Sequence, residues 1–145
     1  MPLPPGSKRP RPRVKICCIS SVDEAQTAIC HGADALGLVS AMPSGPGVID
    51  EDAIAQIAAA IPPPIATFLL TSSQDPAEIA DQQKRCGANT LQLVDAQDVS
   101  TLSQLRDALP GVALVQVVHV TSDASVDQAE ALAPHVDALL LDSGN

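Results

Sequence analysis

Short apolar runs of β type alternate along this chain with longer stretches whose apolar residues recur every three or four positions. The first run spans 14–19. Ser21 then precedes an amphipathic stretch from Val22 to His31, with Glu24 placed to complete a capping box and Gly32 placed to end the helix. A second run, 35–40, leads through the Pro/Gly/Ser-rich segment 42–47 to Asp50. That residue opens a predicted helix carrying Ile54, Ile57, Ala58 and Ile61, stopped by Pro62, Pro63 and Pro64. Further strands are predicted at 65–70, 90–94, 113–120 and 138–141. The helices between them start near Ser73 to Asp75 and end at Cys86 before Gly87, run from Ser100 to Leu109 before Pro110 and Gly111, and run from Ser125 to Ala133.

The pattern is strand then helix, five times, followed by a sixth strand. Runs apolar on both faces, such as 65–70 and 138–141, indicate a parallel sheet covered by helices. Two architectures satisfy such a pattern, an open doubly wound sheet and a (βα)8 barrel. No G-x-G-x-x-G follows the first strand, which argues against a dinucleotide-binding domain. A complete barrel needs roughly 200 residues or more, whereas this chain has 145. The expectation is therefore a partial barrel with an open edge on each side. Another segment, another subunit or self-association through those edges would close it; otherwise it settles as an open α/β sheet.

Composition narrows the reading. Apolar residues make up 46% of the chain, yet there is one Phe and no Tyr or Trp, so the core must be aliphatic. A net charge of −9 excludes a nucleic-acid partner for want of an electrostatic footprint. Lys8, Arg9, Arg11 and Arg13 lie among prolines, so residues 1–13 read as a flexible Pro/Arg-rich leader and 14–145 as the domain. The leader has no apolar segment of the secretory kind, and no apolar run approaches the ~20 residues of a membrane span. The four cysteines have neither metal-ligand spacing nor the look of a disulfide framework, so a reducing cytoplasm and no metal are expected. Cys30 and Cys86 are expected to be core thiols. Adjacent Cys17 and Cys18 are expected to point to opposite faces of their strand.

If the strands form a barrel, their C-terminal ends open onto one face. Cys17, ending the first strand, would then face Asp142, ending the sixth, across one mouth. A thiol and a carboxylic acid can act as the base and acid of a proton-transfer enzyme. Lys15, two residues before Cys17, points to the same side and offers a cation that would ease ionisation of the thiol. Asp142 must instead hold a proton. Gln92 and His119 are polar residues inside apolar strands and are further candidates for the mouth.

These residues resemble a known family. Val14-Lys15-Ile16-Cys17, Ile19-Ser20-Ser21, His31 to Val39, Gln74-Asp75-Pro76, Leu91-Gln92-Leu93, Leu109-Pro110-Gly111 and Val136 to Ser143 are similar to phosphoribosylanthranilate isomerase. The resemblance covers nearly everything after Arg13. It implies an α/β fold of the TIM (βα)8-barrel family, here about five βα units and a sixth strand, lacking the C-terminal quarter. It implies an Amadori rearrangement of N-(5′-phosphoribosyl)anthranilate in tryptophan biosynthesis, an aldose–ketose isomerisation needing no metal or organic cofactor. Cys17 matches the general base and Asp142 the general acid; Lys15, Gln92 and His119 become substrate-binding candidates. The partner implied is a small phosphorylated sugar.

The chain departs from the family pattern at four places. Cys18 stands where a Gly usually follows the base. Pro46 lies near the position of an Arg that contacts the anthranilate carboxylate. Val94 replaces a His, and His119 replaces an Arg. The family's Gly-Gly-Thr-Gly phosphate loop is not in these 145 residues, so the chain alone is expected to be inactive or nearly so. Two other readings remain open: a diverged barrel acting on another sugar phosphate, and a non-catalytic binding or structural relative.

Overall fold

A computed structural model describes residues 11–143. The elements run β1 (Lys15–Ile16), α1 (Val22–Cys30), β2 (Ala35–Val39), α2 (Glu51–Ala60), β3 (Ala66–Thr71), α3 (Pro76–Cys86), β4 (Thr90–Leu93), α4 (Val99–Ala108), β5 (Ala113–His119), α5 (Ala124–Leu132), a 3-10 turn (Ala133–His135) and β6 (Ala138–Asp142). The strands form one sheet in the order β1-β2-β3-β4-β5-β6, with every neighbouring pair parallel. Consecutive parallel strands with a helix in each crossover are the (βα)8-barrel arrangement. Among the described residues β1 and β6 are the two edges, so the barrel is open. No helix among these residues is long and apolar enough to cross a membrane.

Side-chain parity divides the sheet into two working faces. One parity carries Leu36, Leu38, Leu69, Leu91, Leu93 and Leu114, all fully buried against Ile54, Ile57, Ile79, Leu102 and Leu105 of the helices. The other parity carries Val39, Leu70, Gln92, Val117, His119 and Asp142, which line a cavity on the concave side. The aliphatic core expected from composition thus lies between sheet and helices. The predicted covering of 138–141 holds less well: β6 is an edge strand and Leu141 is 62% exposed.

Local signals set most of the helix starts. Asp50 accepts from Ala53 N at 2.7 Å, Asp98 from Thr101 N at 2.7 Å and Asp75 from Ala77 N at 2.8 Å. At α1 the expected capping box is half formed. Ser21 Oγ accepts from Glu24 N, but the Glu24 carboxylate turns to Ser20, accepting from its N at 2.6 Å and its Oγ at 2.8 Å. Gly87 ends α3 with φ +69, where a Cβ would be strained.

A side chain just before each even-numbered strand pins the start of the strand before it. Asp34 accepts from Val14 N at 2.8 Å, Asn89 from Thr67 N at 2.9 Å and Asp137 from Leu114 N at 2.8 Å. Arg11 adds a bond to Asp34 at 2.6 Å, and Arg106 one to Asp137 at 2.9 Å. Residues 1–10 of the expected leader, with Lys8 and Arg9, lie outside the described residues.

The first strand is shorter than its apolar run. It covers Lys15–Ile16 rather than 14–19, because Cys18 turns into the left-handed region at φ +60. The chain rejoins the sheet at Ile19, whose N donates to Gly37 O at 3.1 Å. Cys86 is a core thiol as expected, and burial pushes it up to about 11, whereas Cys30 is exposed on α1.

The division of faces makes a direct prediction. Leu36→Ala, at a site with no exposure, should lower unfolding free energy by about 2–5 kcal/mol in denaturant titration. Val126→Ala, on the exposed side of α5, should stay within about 0.5 kcal/mol of the parent.

Candidate active site

The C-terminal strand ends surround a cavity of about 730 Å³ lined by Cys17, Cys18, Gln92, Val94, Asp95, His119, Asp142 and Ser143, with the 42–46 loop over it. Residues following β1 and at the end of β6 line the same space, so the sheet curls far enough to bring its two edges to one mouth. Of the five candidates from sequence, Cys17, Gln92, His119 and Asp142 reach this cavity. Lys15 does not; it lines a separate space with Arg13, Asp34 and Phe68.

Lys15 is nonetheless joined to the site from below. Its ammonium donates to Gln92 Oε1 and sits 4.6 Å from the centre of the Phe68 ring. Burial pulls the Lys15 ammonium below the usual lysine range, and the neighbouring Cys17 and Cys18 thiols work in the opposite sense. Its place is therefore a half-buried cation that fixes the Gln92 amide, rather than a group presented at the mouth.

The thiols are arranged against strand expectation. The left-handed turn at Cys18 lets both Cys17 and Cys18 line the cavity instead of opposite faces. Cys18 Sγ donates to Pro46 O at 3.6 Å, tying the strand end to the loop. Burial, then the adjacent Cys17 sulfur, push the Cys18 thiol up. Two glycines make room: a Cβ on Gly37 would come to 2.7 Å from Cys17 Sγ, and one on Gly47 to 2.7 Å from Cys18 Sγ.

On the far side, His119 and Asp142 are direct partners across the β5–β6 register. His119 Nδ1 lies 2.6 Å from Asp142 Oδ1, and Nε2 lies 3.2 Å from Val94 O. The Asp142 hydrogen bond is the main force holding the imidazole above its usual range, against a smaller opposing effect of burial; Asp95 adds to it. The carboxylic acid expected from sequence is thus one half of a histidine–carboxylate pair.

Two residues that the sequence did not single out hold this pair. Gln116 Nε2 donates to Leu93 O at 3.2 Å and Asp95 O at 3.0 Å, fixing the segment whose Val94 carbonyl receives His119. Ser125 Oγ donates to His119 O at 3.2 Å. The signal for Gln116 was visible as a polar residue at a core-parity position of an apolar strand. Among the described residues no group of three or more His, Cys, Asp and Glu side chains gathers to hold a metal.

Parallel strands in chain order, outer helices and polar side chains at the C-terminal strand ends define a TIM-barrel-type protein, of which six strands are described. Its curated homologues are N-(5′-phosphoribosyl)anthranilate isomerases, matching about 90% of the chain. That from Methanocella arvoryzae is 27% identical over 133 residues, 92% of this chain and 62% of the relative. That from Haloferax volcanii is 33% identical over 132 residues, 90% of this chain and 58% of the relative. A crystal structure of phosphoribosyl anthranilate isomerase in complex with reduced 1-(o-carboxyphenylamino)-1-deoxyribulose 5-phosphate superposes with a TM-score of 0.79 at 23% identity, over 90% of this chain and 64% of that one. The enzyme from Thermus thermophilus gives 0.78 at 25% identity, over 92% of this chain and 63% of that one. The chain spans about 62% and 58% of the lengths of those two curated relatives. No protein-family model matches it.

The pair has a measurable consequence. His119 should titrate above ~6.5 by NMR, and Asp142→Asn should bring it back down. The linked stability is present below the ordinary histidine range and is lost as pH rises through the raised value. It will be small, because both side chains are 45% exposed. A His119 titration unchanged by Asp142→Asn would show that the contact does not persist in solution.

Proposed function

We propose that this chain carries the acid–base machinery of a phosphoribosylanthranilate isomerase, with Cys17 as general base and Asp142, joined to His119, as the acid. The observation that carries the reading is the placement of Cys17 and the His119–Asp142 pair in one cavity at the C-terminal strand ends of a fold homologous to that enzyme. The substrate is N-(5′-phosphoribosyl)anthranilate and the reaction an Amadori rearrangement in tryptophan biosynthesis. The four free thiols suit a reducing cytoplasm.

The pair supplies the proton in a defined way. Val94 O only accepts, so it calls for a proton on His119 Nε2. One further proton lies between Nδ1 and Asp142 Oδ1. The pair is then neutral overall, either as imidazolium with carboxylate or as imidazole with carboxylic acid. Delivery of that proton to the ribose ring oxygen breaks the C–O bond at the anomeric carbon and opens the ring to a Schiff base. The pair is left as neutral imidazole and carboxylate. Cys17 thiolate removes the proton from the adjacent sugar carbon, giving an enolamine. Cys17 returns its proton to the former anomeric carbon, and the enol hydroxyl gives up its proton to form the ketone. That proton restores the His119–Asp142 pair by way of solvent, so the amino-ketose is an isomer of the substrate and no atom is gained or lost.

Substrate grip divides unevenly. Gln92, Ser72 and Ser143 offer neutral polar contacts in the cavity, and His119 is the sole group among its lining residues able to carry positive charge. Pro46 supplies no cation for the anthranilate carboxylate. The phosphate is assigned to the C-terminal βα units that the longer relatives possess, where helix N-termini form anion sites. Domain limits follow the same reading, with residues 14–145 as the barrel portion and 1–13 as a leader.

The test is loss of phosphoribosylanthranilate fluorescence with this chain alone and with the C-terminal βα units of a homologue supplied in trans or by fusion. The completed barrel should show a rate that Cys17→Ser and Asp142→Asn each lower more than tenfold. A folded, completed barrel with no rate above the uncatalysed one would overturn the proposal and favour another phosphorylated aminoaldose.

The acid has its own signature. In the active assembly kcat/KM should fall as pH rises through the raised His119 range, because the pair then loses its shared proton. His119→Asn should move this falling limb to lower pH, where Asp142 alone holds a proton. A limb unmoved by that substitution would remove His119 from the acid.

A further inference from the structure

The proposed chemistry uses one thiol of two. Cys18 is not needed for base catalysis, yet it shares the cavity with Cys17 and carries a backbone conformation that non-glycine residues avoid, φ +60. Cys17 is exposed and Cys18 half-buried, so both can be reached from solvent. Gly37 and Gly47 stand against the two sulfurs, each where an added methyl group would come within 2.7 Å. The result is a pair of adjacent thiols lining one cavity, each backed by its own glycine.

The spacing of the pair selects what it can hold. Adjacent Cα atoms are fixed about 3.8 Å apart by one trans peptide. Disulfides form across Cα separations of about 4.4–6.8 Å, so direct oxidation of the pair to a disulfide is strained. A larger atom bridging the two sulfurs relieves that constraint. Thiolate ligands favour soft centres. Among the described residues no third His, Cys, Asp or Glu joins the two sulfurs, so a centre that requires four protein ligands, such as structural zinc, is not served. The centre that fits takes two sulfurs and brings its own remaining substituent.

We propose that Cys17 and Cys18 form a vicinal dithiol that captures soft thiophilic centres of the trivalent organoarsenical class at the mouth of the cavity. Two As–O bonds of an arsonous acid break and two As–S bonds form. The two thiol protons leave with the oxygens as two molecules of water, and no oxidation state changes. Capture itself is independent of the isomerase reading. Loss of turnover on capture rests on that reading, because the sulfur of the base is then bonded to arsenic.

The experiment is intact-mass measurement of the reduced chain titrated with phenylarsine oxide. One phenylarsenic adduct per chain is expected, retained in excess monothiol and released by a 1,2-dithiol. Cys17→Ser and Cys18→Ser should each abolish the monothiol-resistant adduct. Cys18→Gly should do the same, and glycine accepts the left-handed backbone, so a folding defect does not confuse the result. Cys30→Ser and Cys86→Ser should retain it. An adduct that monothiol strips from the parent chain, or that survives in Cys18→Gly, would overturn the dithiol. Because the readout is mass, this result stands apart from success or failure of the isomerase assay.

Discussion

Everything functional in this chain depends on the parity of one parallel sheet. One parity of β2 to β5 is mostly aliphatic side chains locked against the helices, interrupted by buried Thr67, Thr71 and Gln116, and this fixes the alternate residues to the concave face. Gln92, Val117, His119 and Asp142 reach a common cavity because they share that second parity. A one-residue slip in any pairing would exchange the two sets, placing leucine in the mouth and His119 in the core. The staples from Asp34, Asn89 and Asp137 to the preceding strand act directly on this hazard. Each binds a backbone N–H within one residue of the start of its neighbour, where register is set. They recur every second strand, so the register is fixed in βαβ pairs.

The same ladder accounts for the histidine–carboxylate pair. His119 and Asp142 are Cα partners in the β5–β6 register, so their contact follows from strand pairing and needs no loop to deliver it. A histidine placed there in a chain of net charge −9 finds Asp142 and Asp95 close by and is held toward its protonated form. Val94 O takes the second ring nitrogen, and Gln116 holds the segment that carries Val94. At residue 94, where the sequence departs from the family's His, the group that meets His119 is the backbone carbonyl, which any side chain there would leave in place.

Much of this was legible in the chain, for reasons that can be named. The element order followed from aliphatic runs punctuated by Gly, Pro and Asp. Asp50 caps α2 where the pattern put its start, while Asp98 caps α4, which begins one residue ahead of the expected start at Ser100. Cys17 and Asp142 could be placed at one mouth because strand ends of a parallel barrel share one face, and both line the cavity there. Lys15 was placed correctly by parity but not by height: on the concave face it lies below the mouth, held by Gln92 and Phe68. The link between His119 and Asp142 was hidden because it depends on register between strands 23 residues apart, which one chain does not display. The staples were hidden for the same reason, although Asp34, Asn89 and Asp137 each stand just before a strand.

Cys18 shows how a local exception can arise from a rule that otherwise holds. Its run of Val, Lys, Ile, Cys, Cys and Ile has every mark of a continuous strand, and alternation would have separated the two sulfurs. A left-handed non-glycine residue costs about 1–2 kcal/mol, and such a residue persists only where its surroundings over-determine it. Here the surroundings are visible: Ile19 is fully buried and bound to Gly37 O, Cys17 is pressed against Gly37, and Cys18 meets Gly47 and Pro46. In a regular strand Cys17 and Ile19 would share a face; the turn at Cys18 is what lets Ile19 join the helix-side core while Cys17 stays at the mouth. The short approach of Gly47 to Cys18 then closes the remaining space over the strand end. The turn that shortens β1 is therefore the same event that places a second thiol beside the first, and the chemistry of the mouth inherits it from packing.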